Sequence, residues 1–184
     1  MRKLIGALSL FAVLAAATGC SDGSASANHP AVEPPPSVAP AADAGGACQL
    51  IDYDSIKATL GVTFAVAGAA QQGDTYTCVT QARHASFPDL VLSVTATTAD
   101  PGVFTSTVQP KGATAVAGLG KAAFSITFPA SGNTGPAVEV GWLAGNARLL
   151  DLRLRLPANA DADQVTQAVP KLIELAKKID LSSI

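Results

Sequence analysis

Through DLVLSVTAT, from Asp89, apolar and polar residues alternate, placing Leu90, Leu92, Val94 and Ala96 on one face and Val91, Ser93 and Thr95 on the other. A period of two predicts a strand with one face buried. VTFAVAG from Val62 and TYTCVTQA from Thr75 read as two further strands, rich in β-branched and aromatic residues. Between Asp52 and Leu60 the spacing changes: Ile56 and Leu60 share one helical face, Asp52 or Asp54 stands where an N-cap belongs, and Gly61 follows as a stop. Asp100 followed by Pro101 starts a second, short helix toward Val108, ended by Pro110 and Gly112.

PAVEVGWLAGNARLLDLRLRL, from Pro136, has the layout of a hairpin, and its loop length can be tested against the pattern. A two-residue turn would set Val140 against Asp151 and Glu139 against Leu152, mixing the faces. A three-residue loop, Gly145 to Ala147, pairs Trp142 with Leu150, Val140 with Leu152 and Val138 with Leu154, and sets Glu139 opposite Arg153. The three-residue loop is therefore expected, with Asn146 a candidate for positive φ. One face is then apolar and the other carries Glu139, Asp151, Arg153 and Arg155. Those charges are most simply a solvated sheet face; an anionic ligand site is the alternative. A closing helix, about Asp161 to Ile179, repeats Val165, Val169, Leu172, Ile173, Ala176 and Ile179 along one stripe. Pro170 should kink it, and Lys177 and Lys178 suit its C-terminal dipole. The element order is helix, three strands, helix, three strands, helix.

Ahead of Cys48 the pattern is of another kind. Arg2 and Lys3 precede an apolar run from Leu4 to Ala17, then come Thr18, Gly19 and Cys20. A positive start, a run too short for the roughly 20 residues of a spanning helix, and small residues at its end are the layout of a secretory signal. With Cys20 directly after them, the segment resembles a bacterial lipoprotein lipobox, although Ala17 stands where that family usually has Leu. The resemblance implies cleavage after residue 19 and diacylglycerol on the Cys20 thiol. Ordinary secretion and an uncleaved anchor are the competing readings. The stretch from Ser21 to Ala47 is dense in Pro, Ala, Ser and Gly, cannot bury a core, and reads as a disordered tether that includes His29. The division is 1–19 signal peptide, 20–47 lipidated cysteine and tether, and 48–184 one domain.

The chain has three cysteines, so lipidation of Cys20 removes the odd thiol and leaves Cys48 and Cys78. Neither has a His or second Cys at ligand spacing beside it, and in an exported chain such a pair points to a disulfide rather than a metal site. Closing about 30 residues contributes roughly 3 to 4 kcal/mol. The fold class that emerges is α+β: an antiparallel sheet of about six strands with two or three helices packed on it and one disulfide. Loss of Arg2 and Lys3 with the signal leaves ten basic residues against fourteen acidic ones, a net charge near −4. With no basic cluster, a nucleic-acid partner is not expected.

CQLIDYDSIKATLG, a second cysteine at Cys78, AVAGLGKAAF and a closing amphipathic helix, taken in that order, resemble the small cysteine-bridged lipoproteins of actinobacteria, a family of unknown function. The likeness covers about Cys48 to the C-terminus and implies an α+β envelope domain bridged between Cys48 and Cys78. It transfers no catalytic residue. Val79 stands where members often have an aromatic, and Lys121 where they often have an acid.

Catalytic chemistry is sparse. His84 lies in the loop-like ARHASFPD, and no Gly-x-Ser-x-Gly elbow is present. GLGKAAF from Gly118 lacks the spacing of a phosphate-binding loop and reads as a packing turn before a strand. Asp52, Asp54, Asp74 and Asp89 are assigned to caps and turns. No cofactor and no metal are expected, and the chain is not expected to be an enzyme. The expected function is a noncatalytic binding or interaction module, tethered through Cys20 to the outer face of the cytoplasmic membrane, with an envelope protein as a candidate partner. The alternative is a carrier of a lipid or other apolar ligand, motivated by 48% hydrophobic but only 5% aromatic residues. An enclosed apolar cavity would favour the carrier.

Overall fold

The computed structural model describes residues 38–179; the signal segment, Cys20, the tether through Ser37 and residues 180–184 lie outside the described residues. Seven strands form one sheet: β1 (Val66–Gln72), β2 (Thr75–Ala82), β3 (Ala85–Ala96), β4 (Thr114–Ala115), β5 (Ala122–Phe128), β6 (Ala137–Leu143) and β7 (Arg148–Arg155). Their spatial order is β1-β2-β3-β7-β6-β5-β4, and every pairing is antiparallel. The strand beyond the expected six is β4, two residues that extend the ladder past β5. The helices are α1 (Tyr53–Leu60), α2 (Pro101–Val103), prolonged by one wide turn over Phe104–Val108, and α3 (Ala162–Lys178). The fold is α+β, as the pattern of the sequence predicts.

The chain runs β1-β2-β3, crosses through α2, and returns so that its last strand, β7, closes against β3. Two sheet faces follow from that register. The first carries Leu90, Leu92 and Val94 of β3, Leu150, Leu152 and Leu154 of β7, and Val138, Val140 and Trp142 of β6, all buried. α3 lies on β5–β7 and against α1, contributing Leu172, Leu175, Ala176 and Ile179 to the same core. The Cys48–Cys78 disulfide is present, with both cysteines fully buried and Cα atoms 4.9 Å apart. It ties the 3-10 turn Gly46–Leu50 to β2, where Cys78 pairs with Leu92.

The hairpin takes the expected register, with Trp142 opposite Leu150, Val140 opposite Leu152, Val138 opposite Leu154 and Glu139 opposite Arg153. The positive φ falls on Ala147 (60°) rather than Asn146. In a three-residue loop the left-handed residue is the third, the one that turns the chain back into the ladder. The first strand begins at Val66 instead of Val62: Phe64 is already buried in the core, while β1 extends through Gln71 and Gln72 because they pair with Tyr76 and Thr75. Ordered backbone also begins before Cys48. Ala41–Ala44 and Gly46–Leu50 form 3-10 turns that bury Ala41 and Ala47, so this part of the expected tether belongs to the domain. Alanines are small enough to pack beside a buried disulfide without the large apolar residues a core segment usually advertises.

Asp52 caps α1, accepting from the backbone N–H of Asp54 and Ser55, and Gly61 ends it. Asp161 and Gln164 form a reciprocal capping box at the start of α3. The helix continues through Pro170, and its buried stripe runs over Ala168, Leu172, Leu175 and Ala176, with Val165, Val169 and Ile173 half-buried at its margin. Lys178 donates to the Thr59 hydroxyl at 2.8 Å, fastening α3 to α1.

Candidate functional site

The second face of the sheet is not covered by α1 or α3. At one end Phe104, Phe124 and Leu143 make a small separate core under the α2 crossover, and Phe104 and Phe124 sit 5.8 Å apart. Beyond that core the alternation of β7 turns Asp151, Arg153 and Arg155 outward, and the ladder assigns each its neighbours. Asp151 lies between Ser93 and Gly141, Arg153 between Val91 and Glu139, and Arg155 between Asp89 and Ala137.

Gly141 is required here: a Cβ at that position would come within 2.5 Å of the Phe124 ring, so the aromatic ring covers bare backbone. With Ser93 on the other side, Asp151 sits in a low floor. The wall is the β5–β6 connection, closed by reciprocal backbone hydrogen bonds of 3.0 Å between Ser131 and Thr134. Floor and wall enclose a groove of about 680 Å³, open to solvent and lined by residues that include Val91, Ser93, Phe128, Thr134, Asp151 and Arg153.

Every guanidinium in this groove has a carboxylate partner. Arg155 grips Asp89 with two hydrogen bonds, Nε to Oδ1 at 2.8 Å and Nη2 to Oδ2, and Asp89 is fully buried. Those bonds hold the Arg155 guanidinium above its ordinary value, against a smaller opposing effect of burial. Arg153 meets Glu139 at 3.6 Å, where the Glu139 side chain is only 13% exposed. Both arginines lie over aromatic rings, Arg153 4.4 Å from the Phe128 centroid and Arg155 5.4 Å from that of Phe87. Asp151 has no arginine to itself. Burial pushes its carboxyl up to about 8, the Glu139 charge and a hydrogen bond with Glu139 add to the rise, and Arg153 opposes it. At neutral pH Asp151 therefore keeps its proton beside the Glu139 carboxyl.

No protein-family model, curated protein or solved structure matches this chain.

Of the two readings of the hairpin charges, a solvated face is corrected: Glu139 is shielded, Asp151 half-buried and the face partly walled. An anionic ligand site fares no better, because Glu139 and Asp89 already neutralise both guanidinium groups. Asp89 is itself a correction. It is not a turn carboxylate but the buried partner of Arg155, and the pairing of β3 with β7 makes it so. His84 stands exposed in the β2–β3 turn, away from the groove. Gly118 to Phe124 forms a packing turn: Lys121 N–H donates to Leu143 O at 2.7 Å, and a Cβ on Gly120 would lie 2.4 Å from the same oxygen. Among the described residues, no group of three His, Cys, Asp or Glu could hold a metal, and no helix is long and apolar enough to cross a membrane.

Proposed function

We propose that the chain is a noncatalytic binding module of the cell envelope, held by a lipid on Cys20 at the outer face of the cytoplasmic membrane, with the groove over β3 and β7 as its contact surface. The observation that carries this reading is the groove itself: an open site of about 680 Å³ with paired charges, built on a sheet whose other face carries the main core. The address is supported by the basic start, apolar run and small residues before Cys20. The noncatalytic reading rests on the composition of the lining, which includes no histidine or cysteine to activate a nucleophile. The carrier reading loses its motive, since Trp142, Leu152, Leu172 and Val138 fill the space between sheet and helices and the larger grooves open to solvent.

The test uses the chain with Cys20→Ser, recovered as a soluble protein, and membranes with wall attached from the same cells. The soluble chain is expected to sediment with those envelopes, and Ser93→Trp, which fills the groove floor from an exposed strand face, should abolish that sedimentation while leaving the circular dichroism unchanged. Equal sedimentation by both proteins would refute the groove as the contact surface. Retention of the Cys20→Ser, Ser93→Trp double variant in the membrane fraction of the producing cells would refute the anchor.

A further inference from the structure

Resting on that reading of the groove, we propose that it binds an uncharged, polyhydroxylated glycan chain, laid across β3 and β7 above Ser93, Asp151 and Arg153. The first support is the balance of charge. Two guanidinium groups, Arg153 and Arg155, face two carboxylates, Glu139 and Asp89, within the site. Burial and Glu139 keep Asp151 neutral at pH 7. A charged ligand entering such a site would leave its own charge, or the one it displaces, without a partner in a half-buried place, and that penalty selects against ions. A neutral ligand meets no such penalty.

The second support is the kind of hydrogen bonding on offer. The hydroxyls of Ser93 and Ser131 both donate and accept, that of Thr134 keeps acceptor capacity while its proton goes to Ser131 O at 2.6 Å, Arg153 and Arg155 only donate, and Glu139 accepts beside the protonated Asp151. Arg153 Nε is buried with no acceptor among the described residues. Donors and acceptors interleaved at this density match a ligand whose own groups do both, and the hydroxyl is that group. The third support is shape. The groove floor continues toward the sheet edge through Val79, Thr77, Gly68 and Ala70, all small or β-branched and on the same face. An extended chain can lie flat there, and a volume of about 680 Å³ falls within the usual range of ligand sites.

The experiment titrates the Cys20→Ser chain at pH 7 with hexasaccharides of one length and three charges, reading amide shifts by two-dimensional NMR. The neutral probes are maltohexaose, cellohexaose and chitohexaose; fully de-N-acetylated chitohexaose is the cation and hexagalacturonate the anion. At least one neutral hexamer is expected to bind with shifts at Ser93, Asp151 and Arg153, and both charged hexamers about tenfold more weakly or not at all, roughly 1.4 kcal/mol of discrimination. Arg153→Met should bind the neutral hexamer about tenfold more weakly than the parent. A charged hexamer bound more tightly, shifts confined to another surface, or no neutral hexamer bound at all would each overturn the proposal. Those results leave the module reading standing if envelope sedimentation still depends on Ser93, so the two failures can be told apart.

Discussion

Asp151→Asn should make the protein more stable, and by an amount that grows with pH. The carboxyl has an ordinary value of 3.8 and stands at about 8 in the fold. Below the ordinary value the folded and unfolded chains both carry the proton, and Asp151 contributes nothing to the pH dependence. Between it and about 8 the unfolded chain has released a proton that the folded chain retains, so the unfolded state is favoured by about 1.4 kcal/mol for every pH unit. Carried to pH 7 the ceiling is about 4 kcal/mol. Water at the groove mouth and the hydrogen bond to Glu139 reduce it, and the expected cost is on the order of 1 to 3 kcal/mol. Asparagine has the shape of the neutral acid and still donates to Glu139, but it does not titrate. Urea unfolding of parent and variant at unit steps from pH 4 to pH 8 isolates the effect, because the other titrating groups are common to both. The two proteins should coincide near pH 4 and diverge steadily above it, with a melting point some 3 °C higher per kcal/mol in the variant. A difference that stays flat across the range, or an asparagine variant that is weaker at pH 7, would refute the assignment of a retained proton to Asp151.

Removing the disulfide by Cys48→Ala with Cys78→Ala should cost about 3 to 4 kcal/mol in chemical unfolding, given the 30-residue separation it closes. Ala147→Gly should stabilise by about 0.5 to 1 kcal/mol, since Ala147 holds a φ of 60° that glycine adopts without strain, whereas Asn146→Gly should not stabilise. Gly141→Ala should lower the melting point sharply, by roughly 1 to 3 kcal/mol of overpacking, because its Cβ would meet the Phe124 ring at 2.5 Å. Asp89→Leu removes the charged hydrogen bonds that Arg155 donates and should cost about 1.5 to 3 kcal/mol, while Asp89→Leu combined with Arg155→Leu should recover most of that loss in the same unfolding assay.

The sequence is most legible where burial is one-sided. The β6–β7 register follows from the requirement that Trp142, Val140 and Val138 meet Leu150, Leu152 and Leu154, because a two-residue turn would mix apolar and charged positions. The α1 boundaries follow from one aspartate and one glycine. Local pattern could not say which strand lies beside β7. Asp89 and Arg155 are 66 residues apart, and only the closure of β7 against β3 makes them neighbours. The groove was hidden for the same reason, since its floor comes from β3 and β7 and its wall from the β5–β6 connection. The alternation did place Asp89 on the same face as Val91 and Ser93, which was the available signal; its position at the start of the strand made a turn role look natural. Ala41 and Ala47 were missed because alanine is common to tethers and to close-packed backbones.

The position of the charged groups bears on why they are there. The main core, from Trp142 to Leu172, lies wholly on the other face of the sheet, and the small Phe104–Phe124–Leu143 core closes without them. A proton retained by Asp151 would weaken the fold at neutral pH, and a half-buried ion pair such as Asp89 with Arg155 is at best weak support for stability compared with apolar residues of the same volume. A face selected only to fold would extend the Phe124 cluster along β5, β6 and β7 and shut the groove. Instead the ladder repeats ionisable groups at Asp151, Arg153 and Arg155, sets the two arginines against aromatic rings, and leaves a hollow between Ser93 and Gly141. Ionisable groups kept at one place on the sheet, where apolar ones would pack, are what the proposed binding surface asks of its scaffold.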